Sequence, residues 1–361
     1  MEVDLKFQKF IQWINSKNIV KDMKLATVKI HTTSNCGWME YIEQKDCNNE
    51  EELKEFYVKS GMLLGILYSF NAVDFHFENI IAYGKDPVLV DLETLFHPDI
   101  KYKVSNNLNS GFQAATEFIA ESVSKIGLLP TKMRIKKDDG GTESVDVGAL
   151  SESKEQSNIL RSLVLENLNT DKLCLSYKYL TVSTKKNGTK LLGKTINPKD
   201  YMNELIIGFE TLYKFADKNK DEMLSYTLDC FEDCRIRVIL KSTVTYTSLL
   251  SIASHPDFMR EPIHRVILLS KIGANDFYNL PIKRCELSEL CRGQIPYFYT
   301  SIKSHDLQGY PDAVFHNNID KSVEEILTDK FNRLSYCDMQ KQVSFIKDSF
   351  LHVVEKVIGQ V

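Results

Sequence analysis

The sequence contains no hydrophobic run long enough to cross a lipid bilayer. Its longest apolar stretch covers only residues 61–70, whereas a membrane-spanning helix needs roughly 20 apolar residues. The first residues, MEVDLKFQKFIQWINSKN, lack the continuous apolar core of a secretion signal, and their apolar positions fall at helical spacing instead. These absences argue against a transmembrane segment and against secretion, and they predict a cytoplasmic location.

Neither sign of charge is in large excess. The chain has 45 Lys and Arg residues against 49 Asp and Glu residues, which gives a net charge of −4. A nucleic-acid-binding protein usually carries a strongly positive surface, so this composition argues against nucleic acid as the main partner. The eight cysteines include no C-x-x-C pair, the spacing typical of structural zinc sites. No zinc is therefore expected, and the thiols are predicted to be free.

The sequence also lacks a glycine-rich phosphate loop near its start. Residues 1–50 contain no G-x-G-x-x-G pattern and no strand of the V-A-I-K type, and Lys29 is the nearest candidate for the strand lysine. Protein kinases use these two elements to hold the phosphates of ATP. Their absence argues against an ordinary protein kinase.

One tract, NAVDFHFENIIAYGKDPVLVDLETLF at residues 71–96, nevertheless has the spacing of a phosphotransfer site. Asp74 and Asn79 follow the D-x-x-x-x-N pattern of a kinase catalytic loop, and Asp91 lies on an apolar segment predicted to be a strand. Asn79 and Asp91 are natural Mg²⁺ ligands, because Mg²⁺ prefers hard oxygen atoms. The tract therefore predicts a site for Mg²⁺ and ATP.

The other polar side chains of the tract suit supporting roles. Asp74 is predicted to orient or deprotonate the attacking hydroxyl group. His76 is expected to point the same way, where it could bind a phosphate or share the proton. Glu93, two residues after Asp91 on the predicted strand, is expected to bind a second metal ion or to support the first. The alternative is a polar loop with a capping aspartate and a hydrogen-bonded histidine, but the combined spacing favours phosphotransfer.

A second group of polar residues lies in the segment RVILKST. If this segment is a strand, Arg237, Lys241 and Thr243 share one face. Their cationic and hydroxyl groups suit a bound phosphate. The pattern alone favours an ordinary surface strand with solvated charges, so the functional interpretation needs other support.

The order of the predicted elements indicates an α+β fold. Helical spacing of apolar residues predicts helices over residues 51–70 and 107–128, and an apolar hairpin is predicted over residues 80–92. Residues 132–158 are polar and contain a Gly-Gly pair, which predicts a long loop. From residue 198 onward the pattern is mainly helical. The sequence thus predicts a small β-containing part near the start and a large helical remainder.

Several segments together resemble the dehydratase domain of class II lanthipeptide synthetases, the LanM-type enzymes. They are CGWMEYIE, VDFHFENIIAYGKDPVLVDLETLFHP, RVILKSTVTYTSLL, HPDFMR and IPYF, in this order along the chain. The pattern D-x-H-x-E-N followed by D-L-E-T is specific to that family. The resemblance implies a lipid-kinase-like fold and a reaction in two steps. Such enzymes phosphorylate Ser and Thr of a precursor peptide with Mg²⁺ and ATP, and then eliminate phosphate to give dehydroalanine and dehydrobutyrine.

The resemblance divides the candidate residues between the two steps of lanthipeptide dehydration. The polar residues of the first tract are implied in phosphorylation: Asp74, His76, Asn79, Asp91 and Glu93. Among them, Asn79, Asp91 and Glu93 are expected to hold Mg²⁺. Arg237 and Thr243 match the family's elimination pair, and a cation suits the leaving phosphate. Lys241, which lies between them in the sequence, is expected to contribute to binding of the phosphate-bearing ligand.

Compared with that family, the sequence is expected to form one partial dehydratase domain over residues 1–361. Residues 1–105 would form the kinase-like core segment, and residues 106–361 the mainly helical remainder with the elimination strand. The family's phosphate-binding lysine and its cyclase domain find no counterpart in the sequence. A separate lobe or cyclase subunit is therefore an expected partner, and the chain alone is expected to be incomplete or inactive in the dehydration reaction. The alternatives are a noncatalytic subunit that binds the precursor peptide and a stand-alone lipid or small-molecule kinase.

Overall fold

The computed structural model describes residues 1–33, 36–100, 118–136, 141–151, 155–183, 188–273, 280–351 and 355–356. Its longer helices are α1 (Glu2–Ser16), α2 (Glu50–Ser69), α3 (Met202–Lys218), α4 (Lys220–Phe231), α5 (Thr243–Ala253), α6 (Pro262–Leu269), α7 (Leu280–Cys291), α8 (Val323–Arg333) and α9 (Tyr336–Leu351). Short 3-10 turns include Leu92–Thr94 and Val123–Ile126.

The strands are short and form several small sheets. They are β1 (Ile30–Thr32), β2 (Gly37–Met39), β3 (Ile80–Tyr83), β4 (Asp86–Leu89), β5 (Asp99–Ile100), β6 (Lys132–Lys136), β7 (Thr142–Asp146), β8 (Glu155–Glu166), β9 (Cys174–Ser183), β10 (Lys190–Leu191), β11 (Lys194–Thr195), β12 (Ile236–Val238), β13 (Phe298–Thr300), β14 (Leu307–Gly309), β15 (Ala313–Phe315), β16 (Ile319–Lys321) and β17 (Glu355–Lys356). The mixture of helices and small sheets confirms the predicted α+β class.

Helix α2 is the central helix of the largest apolar core. It begins at Asn49, whose side chain accepts a hydrogen bond from the Glu52 main-chain nitrogen at 2.8 Å, and its first turn is acidic, as suits a helix N-terminus. Almost all of its second half is buried, because α3 packs along one side and the β3–β4 hairpin lies against another. The predicted helix and the predicted hairpin are both confirmed, and together they place the candidate site at the end of a buried helix.

Glycines bring α2 and α3 unusually close together. A methyl group built on Gly208 of α3 would lie 1.9 Å from the Val58 carbonyl oxygen, and one on Gly61 of α2 would lie 2.0 Å from the Leu205 carbonyl oxygen. Real carbon and oxygen atoms cannot approach this closely. The helix axes would therefore have to separate if either glycine acquired a side chain.

We expect Gly208→Ala to lower the free energy of unfolding by about 1–3 kcal/mol, the usual cost of overpacking a core. Denaturation in guanidinium chloride measures the change. Gly273→Ala is the matched control, because its added methyl group would meet only the flexible Lys283 side chain, at 3.2 Å. Equal losses for both variants would show that the α2–α3 contact is not the cause.

Helix α1 packs into the same core. Phe7, Phe10, Ile11 and Ile14, the apolar positions of its predicted stripe, are all buried. The Phe10 ring meets the Phe70 ring edge to face at 4.7 Å between centroids. This contact supports the residue that follows α2, from which the candidate catalytic loop begins.

A four-stranded antiparallel sheet, in the order β12–β13–β14–β15, forms a second centre with its own small apolar cluster. Strand β12 also contacts the 3-10 turn Leu92–Thr94. The sheet therefore brings the RVILKST segment against the end of the first motif tract, although the two are far apart in the sequence.

Three of the predicted elements were wrong in part. Residues 132–158 were predicted to be a loop, but β6 and β7 pair there as an antiparallel hairpin; main-chain hydrogen bonds form these strands despite their polar composition. The helix predicted over residues 107–128 does not reach residue 128. A 3-10 turn follows Ser122 and ends at Gly127, which has a φ of 92°. Residues 107–117 lie outside the described residues. The strand predicted to contain Asp91 ends at Leu89.

Within the described parts of the chain, every helix is too short or too polar to cross a bilayer.

Candidate active site

The candidate catalytic loop follows α2 and is fixed by hydrogen bonds to two other segments. The Val73 main-chain nitrogen donates to the Thr94 carbonyl oxygen at 3.2 Å, and the Thr94 hydroxyl donates to the Val73 carbonyl oxygen at 2.6 Å. The Phe75 nitrogen donates to the Ile126 carbonyl oxygen at 2.7 Å. The loop and the turn after β4 are thus held as one unit, which brings the two halves of the D-x-x-x-x-N and D-L-E-T tract together.

Asp74 and Asp91 both have left-handed backbone conformations, with φ values of 66° and 56°. Residues other than glycine adopt this conformation at a cost, and such strain is often found at functional sites. Asp91 lies just before the turn Leu92–Thr94 and is exposed. The Asp74 side chain is 56% exposed. The fold therefore presents both carboxylates to solvent, where a ligand can reach them.

Asn79 holds the loop closed from inside. Its side-chain nitrogen donates to the Asp74 main-chain carbonyl oxygen at 2.8 Å. Its main-chain carbonyl oxygen accepts a hydrogen bond from the Val90 main-chain nitrogen at 3.0 Å. Because the amide nitrogen is used in this way, the amide oxygen is the atom of Asn79 suited to a cation. Asn79 is only 8% exposed, so its orientation is set by the fold.

His76 lies beside Asp74. Its Nδ1 atom accepts a hydrogen bond from the Glu78 main-chain nitrogen at 3.2 Å, which requires Nδ1 to be unprotonated and leaves the proton of the neutral ring on Nε2. The Nε2 atom lies 3.9 Å from the Asp74 carboxylate. This separation is beyond hydrogen-bond distance, so a small movement of either side chain is needed before His76 can orient Asp74 or share a proton with it.

An ion pair joins the two motif tracts. The Arg237 guanidinium donates to the Glu93 carboxylate at 3.0 Å, across 144 residues of sequence. The same guanidinium lies 4.6 Å from the centroid of the Tyr297 ring, so three separate segments converge on one cation. The Arg237 Nε atom is buried without a hydrogen-bond partner among the described residues, which marks this guanidinium as incompletely satisfied.

The carboxylates around this cation influence one another. Burial is the main cause that raises the pKa of Glu93, Arg237 opposes it, and the charges of Asp91 and Asp74 raise that pKa further. All three acids therefore lie on the same side of the molecule, close enough to interact. A metal ion or another cation bound among these carboxylates would relieve this repulsion.

Arg237, Lys241 and Thr243 do not share a strand face, contrary to prediction. Strand β12 ends at Val238, and Ser242 caps helix α5, which begins at exposed Thr243. The Lys241 ammonium binds both carboxylate oxygens of fully buried Glu286, at 2.6 and 2.9 Å. The physical reason is the serine: its side chain accepts from the Thr245 nitrogen and starts a helix where the β-branched residues indicated a strand.

Tyr297 is the site residue that the sequence did not single out. It belongs to the IPYF segment and lies just before β13, whose register pairs Arg237 with Tyr299. Burial is the main cause that raises the pKa of Tyr297, while Arg237 lowers it. Tyr297 could have been identified from one pattern: an aromatic residue next to a strand, where that strand pairs with another strand that carries an arginine.

The described residues contain no ready-made cluster of three or more His, Cys, Asp or Glu side chains placed to hold a metal ion. Mg²⁺ in nucleotide sites typically takes one or two protein oxygens and obtains the rest from phosphates and water. Asp91 and the Asn79 amide oxygen provide hard oxygen donors of this kind. The residues therefore fit a Mg²⁺ ion that arrives with a nucleotide better than a resident metal.

Residues 1–301 match the family described as a domain of unknown function, DUF4135. The chain belongs to this family. The DUF4135 chain is also similar to the lacticin 481/lactococcin biosynthesis protein LcnDR2 of Lactococcus lactis subsp. lactis, with 29% identity over 364 residues. The alignment covers 96% of this chain and 37% of LcnDR2. The DUF4135 chain therefore spans about a third of the length of that relative.

Proposed function

We propose that this DUF4135 chain takes part in lanthipeptide biosynthesis and carries a site that dehydrates Ser and Thr of a precursor peptide. The observation that carries the proposal is the Arg237–Glu93 ion pair. It brings the arginine of the second tract against the acidic tract that has kinase-like spacing. The similarity to a lacticin 481/lactococcin biosynthesis protein supports the same pathway.

In the first proposed step, a peptide hydroxyl group attacks the γ-phosphorus of ATP and ADP leaves. Asp74 accepts the hydroxyl proton, and His76, at 3.9 Å, orients the Asp74 carboxylate. Asn79 and Asp91 would hold the Mg²⁺ ion of the nucleotide. When bound, this ion neutralises phosphate charge. A lipid-kinase-like arrangement of the domain is part of this proposal.

In the second proposed step, a general base takes the α-proton of the phosphorylated residue, the Cα–H electron pair forms the Cα=Cβ double bond, and the Cβ–O bond breaks to release phosphate. Negative charge develops on the departing phosphate oxygen, and the Arg237 guanidinium stabilises it. Glu93 and the Tyr297 ring hold the guanidinium in place. Thr243, at the exposed start of α5, is proposed as the hydroxyl partner of Arg237. Lys241 is left out because its ammonium is bound to Glu286.

We further propose that the lysine that binds the ATP phosphates in LanM-type enzymes comes from a separate lobe. Lys29, the nearest candidate in the sequence, is exposed beside β1, and its main-chain nitrogen is hydrogen-bonded to Glu40. Nucleotide binding by this chain is therefore expected to be weak but dependent on Mg²⁺. The precursor peptide is the proposed substrate.

We expect Asp91→Asn to weaken Mg²⁺-dependent ATP binding at least tenfold, or about 1.4 kcal/mol, because the substitution removes the charge of a metal-binding carboxylate. Isothermal titration calorimetry with Mg²⁺-ATP measures the affinity. Asp312→Asn is the matched control, since it makes the same charge change at an exposed position between β14 and β15.

Two results would count against this assignment. Equal ATP affinity for the wild type and Asp91→Asn would remove Asp91 from the nucleotide site. Transfer of phosphate to a lipid or a small alcohol, with none to a peptide, would favour the stand-alone kinase instead. Mass spectrometry of each acceptor after incubation with Mg²⁺-ATP distinguishes these cases.

A further inference from the structure

A polar cavity of about 220 Å³ lies behind the candidate catalytic loop, next to helix α8. Its lining includes an unusual concentration of charged side chains from α8, from the turn Val123–Ile126 and from the segment just before that turn. The charged residues of the lining are Asp99, Glu121, Lys125, Lys321, Asp329, Lys330 and Arg333, and Asn71 lies beside them. The cavity does not include any residue of the proposed dehydration site.

Two of the cations in this cavity are already neutralised. The Lys321 ammonium lies 2.8 Å from the Asp329 carboxylate, and the Arg333 guanidinium lies 2.9 Å from the Glu121 carboxylate. Both are ordinary ion pairs near the cavity rim. The remaining two cations of the cavity are the ammonium groups of Lys125 and Lys330, and their counter-charges remain to be identified.

Lys330 is only 8% exposed, and its ammonium contacts neutral groups. It donates to the Glu121 carbonyl oxygen at 3.2 Å and lies 3.6 Å from the centroid of the Tyr68 ring. Lys125 donates to the side-chain oxygen of Asn71, another neutral group. Among the described residues, neither ammonium is within ion-pair distance of a carboxylate. Asp99 and Glu121 favour charged Lys125, and Asp338 and Glu121 favour charged Lys330, only from further away.

A buried cation without a counter-charge is costly to a fold. Burial lowers the pKa of Lys125 to about 8 and that of Lys330 to about 7, and the positive charges of Lys125 and Arg333 lower the pKa of Lys330 further. A lysine that served only as packing could keep its ammonium at the surface. Here both lysines instead line one cavity that is large enough for a small oxyanion.

We propose that this cavity binds a phosphate-type oxyanion between Lys125 and Lys330. Ammonium groups bind phosphate as point charges, and a doubly charged anion would compensate both lysines at once. The oxyanion could be free phosphate or the phosphoryl group of a larger molecule. This inference stands on the cavity and does not depend on the proposed dehydration activity.

The cavity is connected to the catalytic loop through Asn71. The side-chain oxygen of Asn71 accepts from Lys125, and its side-chain nitrogen donates to the His97 carbonyl oxygen at 3.0 Å. Asn71 has a φ of 60° and lies three residues before Asp74. An anion that orders Lys125 would therefore order the start of the loop that carries Asp74.

Titration calorimetry with inorganic phosphate, in the absence of nucleotide, tests the proposal. We expect Lys330→Gln to weaken phosphate binding at least tenfold. Lys347→Gln, which removes an exposed lysine of α9, is expected to bind phosphate as the wild type does. Arg235→Gln, which removes an exposed arginine outside both the cavity and the proposed dehydration site, is also expected to retain this binding.

A measurement on the unmodified protein covers the case in which Lys330→Gln fails to fold. We expect phosphate to protect Lys125 and Lys330 from reductive methylation, with Lys347 unprotected, as measured by peptide mass spectrometry. The proposal is overturned if neither phosphate nor a phosphopeptide protects the two lysines, or if Lys330→Gln binds the protecting anion like the wild type. Acetate that binds as tightly as phosphate would show a carboxylate site instead. Protection by a phosphopeptide and not by free phosphate would identify a phosphoryl group of a larger molecule as the source of the oxyanion.

Discussion

Arg237→Gln is expected to slow phosphate elimination by about 10²–10³-fold, the usual cost of removing one group that stabilises developing negative charge. Glutamine keeps a hydrogen-bonding side chain beside Glu93 but has no positive charge. The substrate is a synthetic peptide that already carries phosphothreonine, so the result does not depend on ATP or on the phosphate-gripping lysine. Mass spectrometry follows the loss of phosphoric acid from the peptide.

Arg235→Gln is the matched control for this experiment. Arg235 is exposed and lies two residues earlier in the chain, and its guanidinium is 5.2 Å from the centroid of the Tyr299 ring. It makes the same kind of contact with an aromatic ring but does not bind Glu93. Equal loss of elimination in the two variants would indicate a disturbed sheet. An unchanged rate in Arg237→Gln would remove this arginine from the reaction.

Lys241→Met is expected to lower the free energy of unfolding by about 3–5 kcal/mol, because it leaves a buried carboxylate without its cation. Glu286 is fully buried and also accepts a hydrogen bond from the Tyr246 hydroxyl at 2.6 Å. Chemical denaturation measures the loss. The double variant Lys241→Met with Glu286→Leu should recover a large part of it, since the buried charge is then removed.

Lys303→Met is the control for Lys241→Met. The Lys303 ammonium pairs with Glu232 at 2.9 Å, but both side chains are more than half exposed, so its removal should change stability little. If Lys241→Met unfolds like the wild type and yet weakens binding of ATP or phosphate, Lys241 would belong to the ligand site after all.

The parts of the fold that depend on residues close together in the sequence could be predicted. Helix α2 and the β3–β4 hairpin follow from the local spacing of apolar residues and from turn residues. Asp74 and Asn79 lie close together because only four residues separate them in the sequence. The Gly-Gly segment misled the prediction because β6 and β7 are held by main-chain pairing, which leaves little trace in hydropathy.

The remainder of the site depends on contacts between distant parts of the chain. No spacing rule connects Glu93 with Arg237 across 144 residues, or Lys241 with Glu286 across 45. In the first case the distant partner placed a predicted residue beside the candidate site. In the second case the distant partner is a buried acid that binds the ammonium group of another predicted site residue. Both outcomes depend on tertiary packing, which composition and periodicity do not report.

The left-handed conformations of Asp74 and Asp91 affect how mutational scans of this chain should be interpreted. Alanine at a left-handed position costs about 1–2 kcal/mol from the backbone alone, whereas asparagine tolerates that conformation well. An alanine scan would therefore mix a loss of carboxylate chemistry with a distortion of the loop. Asparagine at both positions removes the charge and keeps the backbone, so a phenotype seen with asparagine can be attributed to the carboxylate itself.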